Sequence, residues 1–196
     1  MPAAAVLQNE RFLLGCLVAL IVANIFLYHT VDTRPVFRVA VLEAGKEGRA
    51  VMVRSPRGGT LLINTGPDAS ILRALGTRLP PWHRSIDTVL LTGATVNAAG
   101  GLPDVLKRYR VAGLIRFGSR GSKSMEAALA AAASAEKGLE EITASPDARV
   151  MFDKDVSLSV LSPETFILSY ENSSLLISSS TPAGDYVSDG NAITHL

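Results

Sequence analysis

An α/β fold, a sheet covered by helices, is predicted by three features of this 196-residue chain. Short β-branched runs come first, β and α patterns alternate after them, and the length suits one domain plus an anchoring or targeting segment. A single cysteine, Cys16, excludes an internal disulfide. His29, His83 and His195 are scattered, so neither residue type points to a metal protein.

Residues 1–11 form a short tail with a polar end. Phe12 to Tyr28, FLLGCLVALIVANIFLY, is apolar over 17 residues except at Asn24. That length is at the lower limit for crossing a bilayer and exceeds most signal-peptide cores. The expectation is an uncleaved transmembrane anchor over 12–28 and a linker over 29–35, with a cleaved signal peptide as the alternative. Leu13-Leu14-Gly15-Cys16 has the form of a lipobox, but Cys16 opens the apolar run instead of closing it, so an ordinary membrane-buried cysteine is expected. Flanking charge is nearly balanced and gives no orientation.

The domain itself is expected over 36–196. Val36 to Glu43 alternates, with Phe37, Val39 and Val41 on the more apolar face. Ala50 to Ser55 and Thr60 to Asn64 are two further strands, joined by the turn Pro56-Arg57-Gly58-Gly59, and the three form an antiparallel meander. Asp68 to Leu79 carries Ile71, Leu72, Leu75 and Leu79 at helical spacing, with Asp68 suited to the helix dipole, and Pro80-Pro81 stops it. Trp82-His83-Arg84 is a loop whose tryptophan is expected to pack back on the domain; contact with a base and a phosphate is the other reading. Ile86 to Leu91 is a strand, Leu102 to Tyr109 an amphipathic helix, and Val111 to Phe117 a strand. A glycine-serine loop over 118–124 leads to an alanine-rich helix, Met125 to Glu141, with a shallow apolar face. Strands at Val150 to Phe152, Val156 to Leu161 and Leu175 to Ile177 complete the reading.

Two segments carry a family resemblance. Thr92-Gly93-Ala94-Thr95-Val96-Asn97-Ala98-Ala99-Gly100-Gly101 sits between a strand and a helix, where an α/β fold places its chemistry. Leu62-Ile63-Asn64-Thr65-Gly66-Pro67 ends the meander. The first resembles the metal loop of the metallo-β-lactamase fold, Thr-His-x-His-x-Asp-His-x-Gly-Gly; the second resembles Leu-Ile-Asp-x-Gly-Pro in the version of that fold appended to the ComEC family of DNA-uptake channels. The ComEC strand before the metal loop is similar to Ile86 to Thr92, and its Ser-Pro and Asn-x-Ser patterns to Ser162-Pro163 and Asn172-Ser173-Ser174. Over Val36 to Asp185 the frames keep their order. The resemblance implies a truncated metallo-β-lactamase-like αββα sandwich behind an N-terminal transmembrane helix, on the extracytoplasmic side of a bacterial cell membrane. It also implies a degenerate metal site. Gly93, Thr95, Asn97 and Ala98 stand at the ligand positions, Asn64 stands for an aspartate, and Asp185 is the remnant of a bridging aspartate. None of the four loop residues binds zinc as an imidazole or carboxylate would. The expectation is a protein without metal, cofactor or evident small-molecule substrate.

Charge is unevenly spread. Arg34 to Lys123 holds 15 Lys/Arg against 5 Asp/Glu, and Ser124 to Leu196 holds 3 against 11. Either the halves attract each other across the fold, or the basic half meets an anionic partner through Lys107, Arg108, Arg110, Arg120 and Lys123. The function expected is a non-catalytic, membrane-anchored binding or scaffolding module, linked through the resemblance to DNA uptake, with DNA or a membrane channel protein as partner. Two alternatives stand beside it. One is a metal-dependent or rebuilt-site hydrolase, a nuclease or phosphodiesterase using Thr92 or Ser162 with His83. The other is an envelope protein-interaction domain that meets no nucleic acid.

Overall fold

The computed structural model describes residues 13–25, 36–118, 121–145, 148–162 and 164–196. The chain divides into two units, Met1–Pro35 and Val36–Leu196. In the first, residues 13–25 form a helix (α1) whose side chains are all exposed. The ends of the apolar run, Phe12 and 26–28, fall outside the described residues. No helix among the described residues is long and apolar enough to cross a membrane, so the transmembrane expectation gains no support from the structure.

In the second unit the chain runs β1 (Phe37–Ala44), β2 (Gly48–Arg54), β3 (Thr60–Ile63), α2 (Ser70–Gly76), β4 (Ser85–Leu91), α3 (Val96–Ala99), α4 (Leu102–Arg108), β5 (Arg110–Phe117) and α5 (Lys123–Ala135), then β6 (Glu140–Ala144). It continues through β7 (Arg149–Asp153), β8 (Val156–Ser162), β9 (Thr165–Tyr170), β10 (Ser173–Ile177), β11 (Gly184–Ser188) and β12 (Ile193–His195). An eight-stranded mixed sheet has the order β12-β11-β1-β2-β3-β4-β5-β6; a four-stranded sheet has the order β10-β9-β8-β7. The predicted meander is there, with β1, β2 and β3 antiparallel. Its hairpin closes through the Ser55 N–H on Gly59 O at 2.9 Å, with Gly58 at φ 90.

Both faces of the large sheet are buried. On one, Leu42, Met52, Leu62 and Leu114 meet Ile71 and Leu75 of α2, Leu102, Val105 and Leu106 of α4, and Leu129 of α5. On the other, Val39, Val41, Val53, Leu61 and Leu90 meet Val156, Leu158, Phe166 and Leu168 of the small sheet, and Phe37 stacks on Tyr170 at 5.1 Å. Each such aliphatic side chain, fully buried, contributes about 1.5–3 kcal/mol. The alternation of β1 therefore separates two interiors, not an interior from solvent.

Three expectations change. The alanine-rich helix stops at Ala135, Gly138 takes φ 85, and Glu140–Ala144 turns into a strand parallel to β5, from Gly113↔Glu140 to Phe117↔Ala144. The open edge of β5 wins over the helix propensity of Glu140 and Glu141. Trp82 does not pack back: the turn closed by the His83 N–H on Pro80 O, at 2.9 Å, leaves it 75% exposed. The fourth layer of the expected αββα sandwich is not formed by the helices of this unit. They pack on the large sheet, while Met151 and Leu176 lie exposed on the outer face of the small one.

Candidate functional site

The loop after β4 meets the end of β3 at the C-terminal edge of the parallel strands. Asn64, just past β3, adopts φ 58, a left-handed conformation that asparagine tolerates better than most residues. Its N–H donates to Leu90 O at 2.8 Å. Its Oδ1 accepts from both the N–H and the hydroxyl of Thr92, each at 3.0 Å. One amide thus ties β3 to β4. Thr65, wholly buried, donates its N–H to Ala98 O at 2.7 Å and its hydroxyl to the same oxygen at 3.3 Å. Thr95 caps α3 by accepting the Ala98 N–H at 3.3 Å.

Gly100 and Gly101 let the loop sit directly on the segment 65–68. A Cβ on Gly100 would lie 2.2 Å from Pro67 O, and one on Gly101 would lie 2.4 Å from Thr65 O. Backbone oxygens cannot yield as a flexible side chain can, so no side chain fits. The Gly101 N–H then reaches Gly66 O at 2.9 Å.

This loop forms one wall of a cleft of about 290 Å³ at the end of the inter-sheet core. Asn64, Thr95, Asn97 and Ala98 line it from the loop side. Val41, Val51, Ile63, Phe166 and Ile177 make its apolar floor, and Glu47, Arg49, Glu164, Ser178 and Ser179 its polar rim. The Arg49 guanidinium spans toward the facing loop, donating to Thr181 O at 2.5 Å and to Ser178 O at 3.5 Å. Arg49, Glu47 and Glu164 escaped the sequence reading because only the packing of the small sheet on the large one brings them together.

Four of the six degenerate positions therefore converge on the cleft, and two do not. Gly93 borders a separate hollow beside Arg116 and Glu126. Asp185 on β11, the second strand from the edge of the large sheet, pairs with Ala40 of β1, and its carboxylate is held by Arg78 at 2.8 Å. The donor set does not fit zinc. Gly93 and Ala98 bring no ligand atom, Asn64 Oδ1 and Thr95 Oγ1 already accept hydrogen bonds within the loop, and among the described residues no cluster of three His, Cys, Asp or Glu side chains could hold a metal ion. The rebuilt-site constellation is not assembled either. Thr92 is 3% exposed at the end of β4, whereas His83 precedes the start of the same strand.

The five basic positions also separate. Lys107, Arg108 and Arg110 are exposed at the start of β5. There the Arg110 N–H meets Arg84 O at 2.8 Å, and Arg108 lies 5.5 Å over the Tyr109 ring. The structure adds Arg84 and the exposed Trp82 to this end. Lys107 is partly neutralised by Asp104 at 3.4 Å. Lys123 starts α5, beyond the far end of β5, and Arg120 lies outside the described residues. Attraction between the charged halves is visible: Arg57 meets Asp153 and Asp155, Arg78 meets Asp185, and Arg116 meets Glu126 and Glu141.

Among solved structures, zinc-bound PqqB from Methylobacterium extorquens superposes with a TM-score of 0.51 at 14% identity, covering 71% of this chain and 61% of that one. The fold is metallo-β-lactamase-like. MEM-A1, a subclass B3 metallo-β-lactamase from a soil metagenome, gives 0.44 at 15% identity over 74% of this chain and 62% of its own. CmlA, a diiron β-hydroxylase from Streptomyces venezuelae, gives 0.44 at 14% over 72% and 29%. This chain thus spans about three fifths of the length of PqqB. No protein-family model and no curated protein matches it.

Proposed function

We propose that this domain is a non-catalytic binding module, in which the metallo-β-lactamase-like loop serves as the wall of a ligand cleft. One observation carries the reading. The Asn64 and Thr95 side chains are consumed within the loop, the Asn64 amide oxygen taking both hydrogens of Thr92 at 3.0 Å and the Thr95 hydroxyl capping α3, which leaves the Asn97 amide as the one polar side chain of these loop positions facing the cleft without a hydrogen bond inside the loop. A metal centre needs lone pairs aimed at the ion and a water-bearing open position. Here the lone pairs hold the loop to the sheet, and the cleft beside it offers an apolar floor with a polar rim, the usual composition of a binding site.

The test is metal content of the full chain purified without chelator, together with a nuclease and phosphodiesterase assay. Fewer than about one ion per ten chains and no cleavage after zinc or manganese loading is the expected result. Stoichiometric metal with metal-dependent cleavage refutes the reading.

A second reading, contact with DNA as in the uptake channels the sequence resembles, has one observation in its favour. The Arg110 N–H meets Arg84 O at 2.8 Å, which brings the exposed Arg110 and its neighbour Arg108 to the segment that carries the exposed Trp82 two positions before Arg84, and cations with a stacking ring are the chemistry of single-strand binding. Salt-sensitive binding of single-stranded DNA, weakened by Arg108→Gln with Arg110→Gln, is its signature. No binding at low salt leaves a protein partner. Anchoring of the chain by 12–28 in a bacterial membrane belongs to the same proposal, and extraction of the chain by alkaline carbonate would refute it.

A further inference from the structure

On the helix-covered side of the large sheet, beyond α2, the strands β11, β1 and β2 floor an open groove of about 510 Å³. Arg38 and Arg54 are register partners on β1 and β2, so two guanidinium-bearing side chains start about 5 Å apart on one face. Like charges directly opposite in a sheet repel and are disfavoured. Neither arginine has a carboxylate partner among the described residues. Asp185, the one acidic side chain lining the groove, is engaged by Arg78, and Asp87 on β4 accepts the N–H and hydroxyl of Thr60 at 2.7 and 3.0 Å. Arg78 itself lines the groove, so three guanidinium groups face one acidic side chain, beside Leu196 and between apolar walls that include Ala40, Met52 and Val187. Low-dielectric walls concentrate such a field, and planar guanidinium forks match the oxygens of a phosphate group.

We infer that this groove binds a phosphate group carried on a partly apolar molecule, with Arg38 and Arg54 as its principal contacts and Arg78 as the third. The groove is far larger than phosphate alone needs, and its apolar walls accommodate the rest of the ligand. Val36, which also lines it, follows the apolar run ending at Tyr28 by eight positions, so a phospholipid headgroup and a soluble phosphorylated metabolite are the two sources of this chemistry. The site is separate from the inter-sheet cleft and does not depend on the reading given to it.

Thermal unfolding of the full chain tests the assignment, with inorganic phosphate and dihexanoylphosphatidic acid as probes against chloride at matched ionic strength. At ten times its dissociation constant a bound probe raises the midpoint by about 3–6 °C. Arg54→Gln and Arg38→Gln each raise the midpoint without probe, because the repulsion is gone, and each weakens the probe response at least about tenfold. A response to both probes that is larger for the lipid is the result expected for a soluble phosphorylated ligand with an apolar part, a response to the lipid alone identifies a headgroup, and equal responses overturn the role given to the apolar walls. No response beyond chloride from either probe overturns the site. So does a variant that keeps the response, or one that lowers the unliganded midpoint, since that would mean the arginine has a partner within the fold.

Discussion

Replacing Asn64 tests whether its hydrogen bonds hold the loop after β4 to the end of β3. Asn64→Ala removes the acceptor of the Thr92 N–H and hydroxyl, both in a setting where Thr92 is 3% exposed. Loss of such buried partners costs about 1–3 kcal/mol. Alanine at φ 58 adds about 1 kcal/mol of backbone strain, because its Cβ crowds the following carbonyl. The total is about 2–4 kcal/mol, and Asn64→Gly, which keeps the hydrogen-bond loss but relieves the strain, should cost about 1 kcal/mol less. Urea unfolding followed by far-UV circular dichroism measures both. Fluorescence is a poor reporter, since the one tryptophan is already exposed. Asn64→Ala within about 0.5 kcal/mol of the parent, or no gap between the two variants, would refute the account of Asn64 as the tie between β3 and β4.

Three further expectations concern stability. Gly101→Ala should cost about 1–3 kcal/mol in the same denaturation assay, its Cβ falling 2.4 Å from Thr65 O, whereas Gly76→Ala, with open space around it in α2, should stabilise by up to about 1 kcal/mol. Asp68, Asp153 and Asp189 all have carboxyls held below the usual range, Asp68 by the Ser70 hydroxyl and N–H, Asp153 by the Ser55 hydroxyl, and Asp189 by the N–H groups of Asn191 and Ala192. Their folded pKa lies below the unfolded one, so their contribution is complete above the ordinary carboxylate pKa of about 3.9 and is lost as pH falls through the folded values. The melting midpoint should therefore fall on acidification below about pH 4, with a shallower slope in Asp189→Asn. Arg116→Met should destabilise by about 0.5–1.5 kcal/mol through loss of its pairs with Glu126 of α5 and Glu141 of β6, and added salt should narrow the gap between variant and parent.

Local chemistry alone was enough for the meander, the hairpin at Pro56 to Gly59, the α2 and α4 helices and the strand-loop-helix frame around Thr92. Alternation, turn residues and helical spacing act over a few positions, so they are written in neighbouring letters. That Gly93, Thr95, Asn97 and Ala98 bring no imidazole or carboxylate is legible for the same reason, because side-chain identity decides donor chemistry before any folding. β6 was misread because helix propensity in Glu140 and Glu141 is weak beside the open edge of β5. β11 shows the other failure: nothing near Gly184 announces a partner, yet it pairs with β1, some 145 positions earlier.

Side-chain fate divided along the same line. The sequence determined which groups this protein possesses: a loop without imidazoles, an acidic second half, and arginines dispersed through the first. Only the tertiary structure decided what those groups meet. It put Asp185 on Arg78 instead of at the loop, Lys123 at the opposite end of β5 from Arg110, Glu47 and Glu164 on one cleft, and Arg38 directly across from Arg54. The physical reason is that a residue's chemistry is intrinsic, whereas its field and its partners are set by strand register and sheet packing, which join positions far apart in the chain.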